Sequence, residues 1–441
     1  MDRVQRREML IKYFNDNELR TLCFELNVEY EDLGGSSRSA RALELITYCE
    51  RHGLTPQLEA ALLAREAKDQ ATASRAAPDQ AARPSARQAA PAALVEAFAD
   101  LEIRIRKREE AGYPVEMKLD ENQVFPIGYM NAAVTQQSPT GDLVTDGQQL
   151  YAVLLADSAL RANWAEARGR SRRRRLRLWI DVAAPELHTI PWEQMHEELS
   201  MLSADRETPF SRFLPVNRPW SGPIQKRPIH VLVAISNPQD LEDYSLPQVD
   251  VELERKTLET AFAAVGTAQL QTKFLEAPVT LGRLEKELLQ EQYHILHFLG
   301  HGAYSARLKQ ATLYLEDEQR KARRVSDTEL AGLLDRQGAQ PQLVLLAACQ
   351  GAARSTSDAF LGLGPKLVMI GAPAVVAMQA TMSLTSARMF SAALYERLLA
   401  HGLIDLAANE ARGTLLTAGR PDAAVPVLFM RLRDGRMWDG E

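Results

Sequence analysis

The stretch LVLLAACQG, Leu343 to Gly351, decides how this chain folds. An apolar run stops at Gln350-Gly351 with no alternating polar positions, the pattern of a strand buried on both faces. The C-terminal end of such a strand is where an open α/β sheet places its chemistry. Cys349 sits at that end. Upstream, YHILHFLGHG, Tyr293 to Gly302, is a second short apolar run, closing in Gly300-His301-Gly302. Two strand ends, one carrying a thiol and the other an imidazole between glycines, define a candidate site.

The pattern around these two strands is regular from Pro228 onward. Ile229 to Ile235 reads as a buried strand ending in Ser236-Asn237-Pro238, Val249 to Val265 as an amphipathic helix, and Leu270 to Leu275 as a strand. Leu281 to Gln290 follows as a helix, and Ile295 to Leu299 is the strand that delivers His301. Thr312 to Leu315 suits a hairpin strand, and Ser326-Asp-Thr-Glu329 is a capping sequence for a helix over Leu330 to Leu334. After the Leu343 strand come a helix around Ala359 to Ile370, a strand at Ala374 to Met378, helices at Ser383 to His401 and Ile404 to Leu416, and a closing strand at Val425 to Leu432. Strands alternating with helices predict an α/β, mostly parallel sheet with helices on both faces.

Between Leu94 and Pro228 the same alternation is looser. A short helix is expected near Leu94 to Lys107, a strand at Val115 to Leu119, and helical spacing from Gly147 to Ala167 through Leu150, Val153, Leu154 and Leu160. Arg168 to Arg177 holds seven arginines and reads as a solvated loop before an alternating strand at Leu176 to Val182. Leu187 to Glu193 reads as a proline-aromatic-carboxylate turn opening a helix, and Pro209 to Pro228 as irregular.

Ala67 to Ala93 contains Ala, Arg, Gln, Pro, Ser and Asp with hardly a large apolar side chain, so burial there cannot offset the entropy of ordering. It predicts a flexible or partly helical tether. Before it, residues 1–66 predict a small N-terminal all-α helical bundle. Met9, Leu10, Tyr13 and Phe14 share one helical face. Leu19, Leu22, Cys23 and Leu26 repeat the spacing after Asn15-Asp16-Asn17. Gly34-Gly35-Ser36-Ser37 interrupts the pattern. A third helix through Leu43, Ile46 and Cys49 ends at His52-Gly53, and a fourth starts at Thr55-Pro56. Cys23 and Cys49 suit small apolar core positions better than redox roles.

At 441 residues the length favours two or three domains, and 46% hydrophobic with 25% charged residues is ordinary for a globular protein. The net charge of −6 argues against nucleic acid as the main partner. No apolar segment is long enough to span a membrane, and the start MDRVQRREML has no secretory pattern, so the expected location is cytoplasmic. Three cysteines are too few for a disulfide framework, and no cysteine or histidine spacing suggests a metal site. No cofactor is expected.

The chemistry of the two strand ends follows from the thiol. A free cysteine is mostly protonated near neutral pH, and an adjacent imidazole that takes the proton creates the nucleophile. His301 precedes Cys349 by 48 residues (349 − 301), room for one strand-helix-strand crossover. The backbone N–H groups of Gly302 and Cys349 are candidate oxyanion donors. The bland alternative stays open: a lone cysteine at a strand end is commonly inert, and a His-Gly there is commonly a turn.

At these residues the sequence resembles a known family. HFLGHG at His297 to Gly302 and LAACQG at Leu346 to Gly351 are similar to the two signature blocks of CHAT domains, caspase-like cysteine peptidases of clan CD. Ile190-Pro-Trp-Glu193, Gly371 to Val376 and Ala407-Ala-Asn-Glu-Ala-Arg412 resemble further family elements in the same order. The resemblance implies a caspase-like domain over residues 94–441, with a pseudo-half at about 94–227 and a catalytic core at about 228–441. It makes His301 the general base and Cys349 the nucleophile, with His297 packing or orienting. Asp358 is either a substrate-pocket acid or the cap of the helix from Ala359. Asn237 is a similar pocket candidate. Gln350, where the family often has a small residue, is a third substrate-binding candidate.

Residues 7 to 65 resemble an effector-associated, death-like adaptor through Phe14 to Phe24, Tyr30 to Leu33 and Glu44 to Arg51. Such modules bind like modules on other proteins, and a tether raises the effective concentration of a captured partner. The two resemblances together imply a cysteine endopeptidase of a bacterial antiviral, programmed-cell-death pathway. Its adaptor would bring it to a partner effector, such as a pore-forming protein, which it cleaves and activates. The alternative is a catalytically silent scaffold that binds peptides and assembles adaptor complexes.

Overall fold

The computed structural model describes residues 6, 9–10, 22–23, 28, 38–59, 62, 98–136, 139–265, 269–305, 307, 310–336, 340–348 and 354–438. The chain divides into two compact units, Met1–Ala93 and Leu94–Glu441. In the first, α1 (Arg38–His52) ends at Gly53, whose φ of 69° is the left-handed conformation that glycine adopts without a Cβ penalty. Leu10, Leu22, Cys23, Val28, Leu45, Ile46, Cys49, Leu58 and Leu62 form its buried core. Both cysteines are buried there, and burial pushes the Cys49 thiol up to about 11, the signature of an inert core residue. The 67–93 tether lies outside the described residues, and the two helices expected through Met9 to Phe14 and Leu19 to Leu26 lie largely outside them.

The second unit contains, in order, β1 (Ala99–Ile105), β2 (Tyr113–Leu119), β3 (Gln123–Val124), β4 (Gly128–Met130), α2 (Leu143–Leu154), α3 (Ser158–Arg170), β5 (Arg174–Ile180), β6 (His196–Glu197), β7 (Ser200–Met201) and β8 (Phe210–Phe213). These are followed by β9 (Ile229–Ile235), α4 (Val251–Val265), β10 (Leu270–Phe274), α5 (Leu281–Gln290), β11 (Ile295–Ser305), β12 (Gln310–Glu316), β13 (Ala322–Ser326) and α6 (Asp327–Asp335). The last elements are β14 (Leu343–Ala348), α7 (Arg354–Met369), β15 (Ala374–Met378), α8 (Leu384–His401), α9 (Ile404–Thr417) and β16 (Pro426–Met430).

Among the described residues fourteen strands share one sheet, ordered β10-β9-β11-β14-β15-β16-β8-β5-β1-β2-β3, with β12 on β11, β13 on β12 and β4 on β2. Pairing is parallel from β10 through β15 and again from β16 through β1, with an antiparallel join at β15–β16. The sheet is therefore mostly parallel, and its central strands are apolar along their whole length because both faces are covered. Odd residues of β11 face α4 and α8: the Tyr395 ring lies 6.0 Å from that of His297 and 4.8 Å from that of Phe262. Even residues face α7, where a Cβ on Gly362 would sit 3.5 Å from the Tyr304 ring. Ser326 starts α6 with the expected capping box to Glu329.

The two halves of this unit meet at β8–β16, and a buried polar network spans the seam. Glu193 receives Arg212 Nε at 2.9 Å and Nη2 at 2.6 Å, and Gln379 Nε2 at 3.1 Å. Arg212 also donates to the carbonyls of His188 and Ile190. Beside it, Arg412 of α9 donates to the carbonyls of Pro426 and Ser203, while Asn409 Nδ2 donates to those of Leu202, Asp205 and Thr208. Burial holds the Arg412 guanidinium down at about 10, with Glu193 opposing the shift. The proline-tryptophan-glutamate turn and the Asn409–Arg412 segment thus have a structural task in common.

Several expectations change. Residues 99–105 form a strand rather than a helix, since Leu101, Ile103 and Ile105 are buried and alternate with partly exposed Glu102 and Arg104. The helical stretch expected over 147–167 is two helices, the second capped by Asp157. The arginine run is no solvated loop: Arg174, Arg175 and Arg177 belong to β5 and are buried. Arg175 pairs with Asp405, Arg177 with Asp100 at 3.4 Å, and Arg177 donates to the Arg433 carbonyl. These carboxylates come from α9 and β1, so nothing local foretells the burial. Leu187 to Glu193 contributes two short 3₁₀ turns rather than opening an α-helix, and β8 lies within the stretch expected to be irregular.

Candidate functional site

β11 outruns the expected strand. It pairs with β14 from Ile295↔Leu343 to Gly300↔Ala348 and then continues to Ser305 against β12, with His301 opposite Tyr314. His301 is therefore no turn residue; it stands where the strand exchanges its parallel partner for a hairpin, at the C-terminal edge of the sheet. Gly300 is required there: an added Cβ would lie 2.9 Å from the Phe298 ring and 3.3 Å from Ser236 Cβ.

The imidazole of His301 is 1% exposed. Its Nε2 lies 2.8 Å from the carbonyl oxygen of Pro247, in the segment joining β9 to α4. A carbonyl only accepts, so Nε2 carries the hydrogen and Nδ1 holds the lone pair. Nδ1 is buried and has no hydrogen-bond partner among the described residues. Burial lowers the proton affinity of the ring, and the Pro247 hydrogen bond opposes the shift. At neutral pH the ring is a neutral base, its tautomer set by a backbone group that sequence reading missed, since a carbonyl has no residue-type signal.

The other candidates separate. Cys349 and Gln350 lie outside the described residues; β14 is described up to Ala348. Gly302 is buried in the hairpin, opposite Leu313. Asn237 does not stand free: its Oδ1 accepts the N–H of Val249 at 2.8 Å. Asp358 falls within α7, which begins at Arg354, so it does not cap a helix from Ala359. His297 packs, as its place four residues earlier suggests. Its Nδ1 is 3.2 Å from the Tyr395 hydroxyl, and burial holds its pKa down at about 3.

Among the described residues no group of three or more His, Cys, Asp or Glu could hold a metal ion. Nor is any described helix long and apolar enough to cross a membrane. A cavity of about 370 Å³ lined by Val134, Asp146, Leu150, Glu186 and Ile190 includes none of His301, Gly302 and Asn237.

Residues 6–66 match the model of effector-associated domain 7. No curated protein sequence matches the chain. Two crystal structures of the Saccharomyces cerevisiae separase–securin complex are similar to it, at 15% and 17% identity and a TM-score of 0.35 for each. Each match covers 62% of this chain and 17% of the separase-complex chain, so the chain spans about a sixth of that length. The CHAT domain model matches residues 144–436, a span that includes the Glu193–Arg212–Arg412 seam and both strands of the candidate site, and this chain belongs to the CHAT-domain family of caspase-like proteases.

Proposed function

We propose that the chain is a cysteine endopeptidase in which His301 Nδ1 takes the proton of the Cys349 thiol. The observation that carries this reading is His301 itself: a neutral imidazole at the sheet edge, its Nε2–H committed to Pro247, its Nδ1 lone pair uncommitted among the described residues. The strand register supports the pairing. Described β11–β14 partners are offset by 48 (343 − 295 and 348 − 300), and the same step from His301 reaches residue 349. His297, Leu299 and Ala347 line one small cavity, so odd residues of both strands share a face.

The chemistry then balances without a cofactor. The thiolate attacks the peptide carbonyl carbon, a C–S bond forms, and the carbonyl π pair moves to oxygen, where the N–H groups of Gly302 and Cys349 receive it. The C–N bond breaks as the imidazolium gives its Nδ1 proton to the leaving amine. Water then attacks the thioester carbonyl while His301 accepts its proton, and the C–S bond breaks as that proton passes to the departing Cys349 thiolate. Gln350 and Asp358 are the proposed substrate contacts closest to Cys349 in sequence.

The match to an effector-associated domain supports recruitment: residues 1–66 bind a like module, and residues 67–93 tether it to the protease. The substrate is then a partner effector, such as a pore-forming protein, in a bacterial antiviral pathway of the cytoplasm. The test incubates proteins encoded beside this gene with wild type and Cys349→Ala. Wild type should cut one of them, and a thiol-reactive peptidyl probe should label Cys349. No cut and no label would leave a peptide-binding scaffold. Deleting residues 1–66 should spare short peptides but slow processing of the partner; equal processing rules out recruitment.

A further inference from the structure

The segment that presents the Pro247 carbonyl is tied back to the end of β9 by a side chain. Asn237 follows β9 immediately, and its Oδ1 accepts the N–H of Val249, two residues beyond Pro247, at 2.8 Å. Gln248 Nε2 closes the same loop by donating to the carbonyls of Pro238 at 3.1 Å and Gln239 at 3.4 Å. The proline ring at 247 restricts the φ of the residue that owns the carbonyl. Next to Asn237, Ser236 Oγ donates to the carbonyl of Tyr314, the residue opposite His301 in the hairpin, at 2.9 Å. One dipeptide therefore braces His301 from two sides: Ser236 through its strand partner, Asn237 through the loop bearing its acceptor.

We propose that Asn237 is a positioning residue for His301, holding the 238–248 loop so that the Pro247 carbonyl fixes the Nε2–H tautomer and leaves Nδ1 to face the nucleophile. This rests on the peptidase reading above and gives Asn237 a task other than touching substrate. An unclamped loop lets the carbonyl leave Nε2. The imidazolium then loses a charge-assisted hydrogen bond, and the thiolate–imidazolium pair is less favoured.

The experiment follows iodoacetamide alkylation of Cys349 in the full chain from pH 5 to 9, read by peptide mass mapping, which separates Cys349 from buried Cys23 and Cys49. Wild type, His301→Ala, Asn237→Ala and Asn237→Asp are compared, with thermal melts alongside. Asn237→Ala should move the alkylation midpoint upward and slow the reaction at pH 7 by about tenfold or more, the loss of one hydrogen bond to a charged group. Asn237→Asp, which keeps an acceptor oxygen for Val249, should hold the midpoint at or below the wild-type value. Asn237→Ser, with a shorter side chain, serves if the alanine variant does not fold, and should shift in the same direction. A lowered melting temperature with an unmoved midpoint overturns the positioning role and leaves the dyad intact. Superposed wild-type and His301→Ala profiles overturn both.

Discussion

Removing the Glu193 carboxylate tests how the two halves of the large unit are joined. Glu193 is 0% exposed and Arg212 is 2% exposed, and they share two hydrogen bonds at 2.9 and 2.6 Å. Breaking a buried pair from one side leaves an uncompensated guanidinium and costs about 3–5 kcal/mol. Gln379 Nε2 loses one of its two acceptors, adding about 1 kcal/mol. Arg412 loses the carboxylate that supports its charge. Glu193→Ala should therefore destabilise the unit by about 4–6 kcal/mol. The assay is urea unfolding of the full chain followed by tryptophan fluorescence, which reads this unit alone because all five tryptophans lie beyond residue 94. In a cycle with Arg212→Met the double variant should be less damaged than the sum of the singles, by about 2 kcal/mol or more. A single-variant loss under about 1 kcal/mol, or simple additivity, would refute the seam argument.

Two further outcomes concern β11, the strand that bears His301. Folded His297 stays neutral down to about pH 3, whereas in the unfolded chain it gains a proton below about 6.5, so stability falls as pH drops through that window. Its share at pH 5 is about 2 kcal/mol, and His297→Gln should show a smaller fall in melting temperature between pH 7 and 5 than wild type; parallel curves would count against it. Gly300→Ala forces a methyl group to 2.9 Å from the Phe298 ring and should cost about 1–3 kcal/mol in urea unfolding, with slower Cys349 alkylation. Unchanged values would mean that β9 and β11 have room to part.

The parts of the fold legible in sequence were those governed by local pattern. β14, β15 and α5 fall at or within a residue of their expected limits because an apolar run between breakers, or a clean 3.6 period with a cap, answers to little outside itself. β1 was misread although ADLEIRI alternates, because its polar positions are charged residues equally at home on a helix surface. The β5 arginines were misread for a deeper reason. A charge is buried only where its partner is, and Asp405 and Asp100 arrive from distant segments.

For the site, sequence alone determined the residue types and their spacing: an imidazole and a thiol at the ends of two apolar runs, 48 positions apart (349 − 301). Strand periodicity suffices for that much, since parallel neighbours joined by one crossover need only length and pattern. Only the tertiary structure decided which nitrogen of His301 keeps its lone pair. That choice belongs to the Pro247 carbonyl, a group every residue carries, brought to Nε2 by a loop that Asn237 closes onto Val249.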